Sequence, residues 1–499
     1  MTFHSLEYFI FFPVIFFFFY LSPRRFRGAL LLLSSCIFYA AFSIPYLGVI
    51  LIVIAVNYII GIRIVRTDGI TNKYLYKTGI LFNIAILAFF KYFGFLAEGG
   101  RKLAVFLHLH YPEHIVRIIL PAGFSFIVLT AIAYLIDVRQ EKSSVQRRAD
   151  VLASFFLFFP KMMQGPIERA GRLIPQFISG HEFRYADATE GLKMIGWGLF
   201  KKVVVADRLA GFVNAAYADP APQGGLVWIV TLCFFSLQIY ADFSGYTDIA
   251  LGSARMLGFE LTQNFQRPYL STTIREFWSR WHISLSSWLR DYLFLPLSYS
   301  LSRTLKSDDY FKIQTDKWIY IFATFVTFAF AGLWHGAGWA FLIWGLLFAF
   351  YLSVSLLTRK IRKNIIKRTG LTRFPRLLKG IRILATFSLV SAAWIFFRAV
   401  SLPQAIGIIR NFTHGWSLTT IRGIQEPLSR YGMSFKWLYV ILPAVSVLFY
   451  AEIVSVKKDF LLRIKEKPLL VRWAIYYLLI IAILFFSASD SQQFIYFQF

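Results

Sequence analysis

Apolar runs of roughly 17–22 residues, the length a helix needs to cross a bilayer, recur along this chain with short basic clusters between them. In lipid every backbone amide must find its partner within the structure, which leaves helices or a closed barrel. Runs this continuous mean helices. The composition agrees: of 499 residues, 57% are hydrophobic and 19% aromatic, well outside the soluble range. The fold class expected is an all-α polytopic integral membrane protein with about 11–12 transmembrane helices. A single membrane-embedded domain over residues 1–499 is expected, with no low-complexity linker and no internal repeat.

The net charge of +27 does not point to nucleic acid, because the basic residues form short clusters between apolar runs rather than one soluble patch. Such clusters follow the positive-inside bias and face anionic lipid head groups, so membrane lipids are the expected partners. No basic residue precedes the Phe-rich run from Tyr8 to Leu21, and Arg24, Arg25 and Arg27 follow it. That order favours a retained first helix whose start faces outward over a cleaved signal peptide. Counting on from there puts the most basic connection, Arg359 to Arg382, in the cytoplasm and the 400–436 loop outside. The run from Val151 to Gly165 is too short to span and is interrupted by Pro160, so it is expected to be re-entrant or tucked against the bundle. A weaker span near 190–205 is expected to end at Lys201-Lys202.

Polar residues within apolar sequence carry the functional information. Two apolar spans meet at Leu333-Trp334-His335-Gly336-Ala337-Gly338. An imidazole there is costly to bury without a partner or a task. One reading is a buried histidine bonded to backbone; the other is a reactive group, with Gly336 and Gly338 permitting close approach of a ligand and Trp334 and Trp339 walling a tunnel. Plotting Arg275 to Tyr292 at 100° per residue gathers Phe277, Trp278, Trp281, Leu285, Trp288, Leu289 and Tyr292 on one arc, with His282 at its boundary. A continuous amphipathic helix lying on the membrane surface or lining a polar cavity fits that pattern.

Asp242 and Asp248 close a span in Tyr240-Ala241-Asp242-Phe243-Ser244-Gly245 and the residues after it. They are readable as a pair for acid–base work, or as caps and ion-pair partners of Arg255, Arg275, Arg280 or Arg290, and the second has the stronger physical case. No Walker loop, nucleophile elbow or H-E-x-x-H occurs. His108, His110 and His114 have metal-compatible spacing but little acidic support, and Cys36 and Cys233 sit singly in apolar runs, so no metal site is expected.

These residues resemble a known family. The stretches from Tyr240 to Thr262, from Asn264 to Leu297 and from Ala331 to Leu347 are similar to the membrane-bound O-acyltransferases, in their bacterial alginate O-acetylase-like branch. Leu120 to Arg139, Gln164-Gly165-Pro166, Gly198 to Ala210, Trp394 to Ala399 and Phe494 to Phe499 extend the likeness. The Trp281-His282 pair, followed 53 residues later by Trp334-His335-Gly336, is its most specific part.

The resemblance implies an enzyme of the bacterial inner membrane, with helices arranged as a funnel thinned at its centre. It implies acyl transfer, most often of acetyl, from a cytoplasmic donor such as acetyl-CoA or another acyl carrier to hydroxyls of a cell-envelope or exported polysaccharide. No bound cofactor is implied. In relay members an extracytoplasmic acyltransferase partner completes the transfer. Carried onto this chain, His335 is the catalytic base and His282 its companion, with Trp334, Trp281, Arg280, Asp242 and Asp248 as candidate substrate-binding residues. D-alanyl transfer to teichoic acid, or acylation of a lipid or small hydroxyl compound, shares the same histidines. A non-catalytic transporter would use His335 as a proton relay or packing residue, and would show paired broken helices in two halves, for which the sequence has no sign.

Overall fold

The structure, a computed structural model, describes the chain except for residues 66–71, 109–119, 221–223, 311, 414–435, 456–459 and 487–499. It is helical apart from one two-stranded hairpin, Asp309–Tyr310 with Ile313–Gln314. Among the described residues seven helices are long and apolar enough to cross a membrane: Ile44–Ile64, Lys73–Phe106, Gly225–Met256, Thr315–His335, Trp339–Leu357, Pro375–Arg398 and Trp437–Val454. Leu6–Leu21 and Leu469–Phe485 are shorter apolar helices. One expected span has a different character. Phe124–Arg139 is only 16 residues long, and nearly all of it is buried in protein, so its apolar sequence reflects enclosure rather than contact with lipid.

The contacts divide the chain into two compact units, residues 1–195 with 246–263, and residues 196–245 with 264–499. In the first unit Asn57 and Asn83, both fully buried, exchange side-chain amide bonds of 3.1 and 2.8 Å. Such pairs hold membrane helices together where lipid and side chains are equally apolar. The short run after Val151 is tucked in, as its length required: Ala149–Leu157 and Phe159–Met162 are largely buried, and the Phe159 N–H donates to Ser35 Oγ at 3.1 Å. Glu168, fully buried, accepts from both the N–H and the hydroxyl of Thr262. Arg255 gathers Asp187, Glu190 and Glu260 at 2.9–3.3 Å.

The second unit is organised by a hairpin of two spanning helices, Thr315–His335 and Trp339–Leu357, joined by Gly336-Ala337-Gly338. Glycine sets their separation. A Cβ on Gly345 would lie 2.1 Å from the carbonyl oxygen of Phe328, and one on Gly332 would lie 2.3 Å from that of Phe341. The two backbones therefore touch, as small residues allow in membrane helix pairs. Gly336 gives up its space to protein and not to a ligand: a Cβ there would strike the Phe341 ring at 2.1 Å. Trp334 is buried, but Trp339 is 64% exposed and points away from the interior, so the two do not form the walls of one tunnel.

Two sequence expectations fail for a common reason. The helix through Lys201-Lys202 does not stop there; it widens into a π-helical turn over Phe200–Ala206 and continues as Asp207–Ala218. The amphipathic helix expected across Arg275 to Tyr292 is instead broken, Ile274–Arg280 and Ile283–Leu289, with His282 between them in the left-handed region at φ 45°. A projection at 100° per residue records which face a side chain takes and is blind to a local change of backbone. The predicted apolar arc is nevertheless largely buried, through Phe277, Trp281, Leu285, Trp288 and Leu289.

The hairpin contact gives a direct test. Gly345→Ala should destabilise the solubilised full-length chain by about 1–3 kcal/mol, the usual cost of overpacking. Gly338→Ala, where the nearest atom to a new Cβ is 3.8 Å away, should melt like the parent. Thermal denaturation in detergent by size-exclusion recovery reads the difference; equal melting of both variants would contradict backbone contact at Gly345.

Candidate active site

The break at His282 is built rather than frayed. Thr273 caps the preceding helix by accepting from the Glu276 N–H at 3.1 Å, and the Glu276 carboxylate accepts in return from the Thr272 N–H at 2.7 Å. The following segment is held from outside: the Gln266 N–H donates to the Arg280 carbonyl at 2.9 Å, and the Ile283 N–H to the Asn264 carbonyl at 3.0 Å. Asn264 Oδ1 also accepts from Ser284, N–H at 3.2 Å and hydroxyl at 2.7 Å. These bonds offset the cost of placing a non-glycine residue at positive φ, a strain that concentrates at functional sites. Asn264 thus acts as the clamp on His282, a role that its place in the sequence could not reveal without the fold.

Three aromatic rings surround His335, which is 6% exposed. Its ring centroid lies 4.8 Å from Trp334, 4.9 Å from Trp344 and 5.2 Å from Phe397, all edge-on. His282, 1% exposed, stands perpendicular to Phe243 at 4.8 Å and 6.4 Å from Trp334. The Trp334 indole is therefore in ring contact with both histidines, and the structure brings together His282, Trp334 and His335. His282 lies outside the spanning helices, and burial pushes its imidazole far below its ordinary value, to about 3. It stays neutral at physiological pH, able to donate from one nitrogen and accept at the other.

The remaining candidates fall elsewhere. Trp281 is sealed in an aromatic cluster against Phe265 at 5.1 Å and Trp394 at 5.3 Å, where it packs the wall behind the site. Arg280 is tied to Glu276 at 2.6 Å. Asp242 is held by Lys202 at 2.8 Å, and the same ammonium reaches Asp207 at 2.9 Å, all three side chains 4% exposed. This corrects the expected arginine partners: Arg255 serves Asp187, Glu190 and Glu260 instead. Asp248 is half-buried and belongs to the first unit, whereas both histidines belong to the second. His110 and His114 lie outside the described residues.

Sequence reasoning missed the lysine because it read Lys201-Lys202 as a helix end. The signal was present: a lysine inside an apolar run demands a buried carboxylate, and Asp242 stands in another apolar run. The consequence for the site is positional. Asp242 precedes Phe243, the ring against His282, and Gly245 packs so closely on Gly198 that a Cβ would lie 2.7 Å from its carbonyl oxygen. The ion pair and the glycine contact together lock the helix that carries Phe243.

Comparison with known proteins decides the family. Residues 151–402 match the MBOAT, membrane-bound O-acyltransferase family. The probable alginate O-acetylase of Pseudomonas putida is 31% identical, covering 98% of this chain and 98% of its own length. The chain belongs to the membrane-bound O-acyltransferase family. It is a multi-pass membrane O-acyltransferase. The probable alginate O-acetylase of Azotobacter vinelandii is 34% identical over 84% of this chain and 79% of its own. A peptidoglycan O-acetyltransferase of Helicobacter pylori is 32% identical over 76% of this chain and 72% of its own. The matched residues of this acyltransferase hold the tucked segment, the Lys202 ion pairs, the break at His282, the glycine hairpin and Phe397.

Removing the shared cation tests the ion-pair reading. Lys202→Met leaves Asp207 and Asp242 buried without a counter-charge, which should cost about 3–5 kcal/mol. Most of the monodisperse protein should disappear from detergent extracts, and neutralising both carboxylates in the same chain should recover much of it. A single variant that purifies like the parent would contradict the pairing.

Proposed function

We propose that this acyltransferase transfers an acyl group, acetyl first among candidates, from a cytoplasmic donor to hydroxyls of a cell-envelope or exported polysaccharide, in the inner membrane of a bacterium. The observation that carries the reading is His335, an imidazole sealed among aromatic rings at the turn of a membrane hairpin. The relatives named for alginate and peptidoglycan O-acetylation favour acetyl as the group and a glycan as the acceptor.

A sugar hydroxyl is a poor nucleophile at neutral pH. His335 accepts its proton as the oxygen attacks the acyl carbonyl, a role typically worth ~10²–10⁴ in rate. Neutral His282, across Trp334, orients the hydroxyl or the acyl oxygen. The aromatic wall excludes water, which limits hydrolysis of the donor. Acetyl-CoA or another acyl carrier supplies the group and is a substrate, not a bound cofactor.

Placement along the hairpin supports transfer toward the outer face. The Trp339–Leu357 helix separates the His335 turn from the basic helix Arg359–Arg368 by 19 residues, about 28 Å at 1.5 Å per residue. With the basic end in the cytoplasm, the histidine lies toward the acceptor's side and the acyl group must cross most of the bilayer to reach it. That arrangement suits hand-over to a polysaccharide directly or through an extracytoplasmic acyltransferase partner.

The test is chemical. Cells expressing the chain should carry alkali-labile, hydroxylamine-reactive acetyl esters on envelope polysaccharide that are absent when the gene is deleted and return on complementation. Unchanged ester content on deletion would sink the glycan assignment.

A further inference from the structure

With His335 as base at the acceptor hydroxyl and His282 able to orient that hydroxyl, the acyl carbonyl oxygen needs a donor of its own as charge develops on it. Trp344 is the buried indole beside His335 that can supply one. It lies on the second hairpin helix, 1% exposed, with its ring 4.9 Å from His335 and nearly perpendicular to it, at 85°. The next residue, Gly345, is pressed against the Phe328 carbonyl, so the backbone that carries the indole has no slack. Trp394 stacks against it at 6.0 Å and 18°, and Phe397 lies 5.2 Å away. Among the described residues the Trp344 indole N–H donates to no protein atom. A dry, unmatched donor is costly to keep and calls for an explanation, which a bound ligand can supply. The Trp278 indole is unmatched in the same way and belongs to the same aromatic cluster, 5.9 Å from Trp344, but has no ring contact with His335.

We propose that the Trp344 indole N–H is the hydrogen-bond donor to the carbonyl oxygen of the acyl group, and so a catalytic residue of the transfer. The proposal rests on His335 being the base. His335 takes the proton of the acceptor hydroxyl as its oxygen bonds to the carbonyl carbon of an acyl thioester. The C=O π pair moves onto oxygen, and the Trp344 N–H stabilises that charge. When the C=O bond re-forms, the C–S bond breaks, and the departing thiolate takes the proton from the His335 imidazolium. A fixed donor in a water-excluded site acts mainly on the transition state, since the oxygen carries full charge only there.

The experiment compares full-length wild type, Trp344→Phe and Trp278→Phe in membranes at matched abundance. The probe is radiolabelled acetyl-CoA, and the readout is the initial rate of ester-linked label appearing on envelope polysaccharide. Trp344→Phe should lower kcat by ~10²–10³, the usual cost of one oxyanion donor, with KM changed only a few-fold. Trp278→Phe, which also removes a buried unmatched indole, should stay within a few-fold of wild type in kcat. Should Trp344→Phe fail to accumulate, 3-benzothienylalanine at position 344 keeps the bicyclic shape without the N–H and should show the same kcat loss. A wild-type kcat in either position-344 variant overturns the proposal, and so does an equal loss in Trp278→Phe. A wild-type preparation that labels no polysaccharide would strike the functional reading first and remove the ground of this one.

Discussion

Backbone contact between two membrane helices, at Gly332 and Gly345, is the constraint from which the site follows. Inside a bilayer, apolar side chains gain little by leaving lipid for protein, so helix pairing depends on close packing and on a few polar bonds. Two glycines facing opposite carbonyls bring the hairpin axes together and draw its turn tight. His335 is the last residue before that turn, so its ring is held among Trp334, Trp344 and Phe397. A wider hairpin would loosen that enclosure and give the imidazole room to reorient.

Polar groups buried in the fold are arranged to the same end. Lys202 satisfies two carboxylates at once, on a π-helical turn that projects its ammonium toward the neighbouring helix. The pair is a poor source of net stability, because desolvation consumes most of its Coulomb energy, but it specifies one register between helices. That register holds Phe243 against His282. On the other side of His282, Asn264 holds the break in the backbone. One histidine is thus set by a hairpin and the other by a clamp and an ion pair, and Trp334 bridges their rings.

Much of this was legible in the residues. The apolar runs announced the class, and the meeting of two spans at Trp334-His335-Gly336 marked the candidate site, because an imidazole there needs a reason. What stayed hidden was whatever depends on a local backbone turn or a distant partner. The helical projection placed Trp281, Leu285 and Trp288 inside correctly but drew a continuous helix through His282, since a left-handed residue leaves no trace in hydrophobic period. The arginines offered as partners of Asp242 lie later in the chain, whereas the structure pairs it with Lys202 from the preceding helix. Gly336 invited a ligand in the sequence and accommodates the Phe341 ring in the fold. Phe124–Arg139 is apolar because protein encloses it rather than because it faces lipid, a distinction that apolarity alone does not make.

The central claim is that His335 takes the proton from the acceptor hydroxyl. The most direct measurement is the acyl-transfer rate of His335→Ala against wild type, with both proteins present at equal abundance in the membrane. The account predicts a fall of at least ~10², the lower range for a general base, while the protein still accumulates folded in the membrane. Transfer at the wild-type rate in the alanine variant would contradict it.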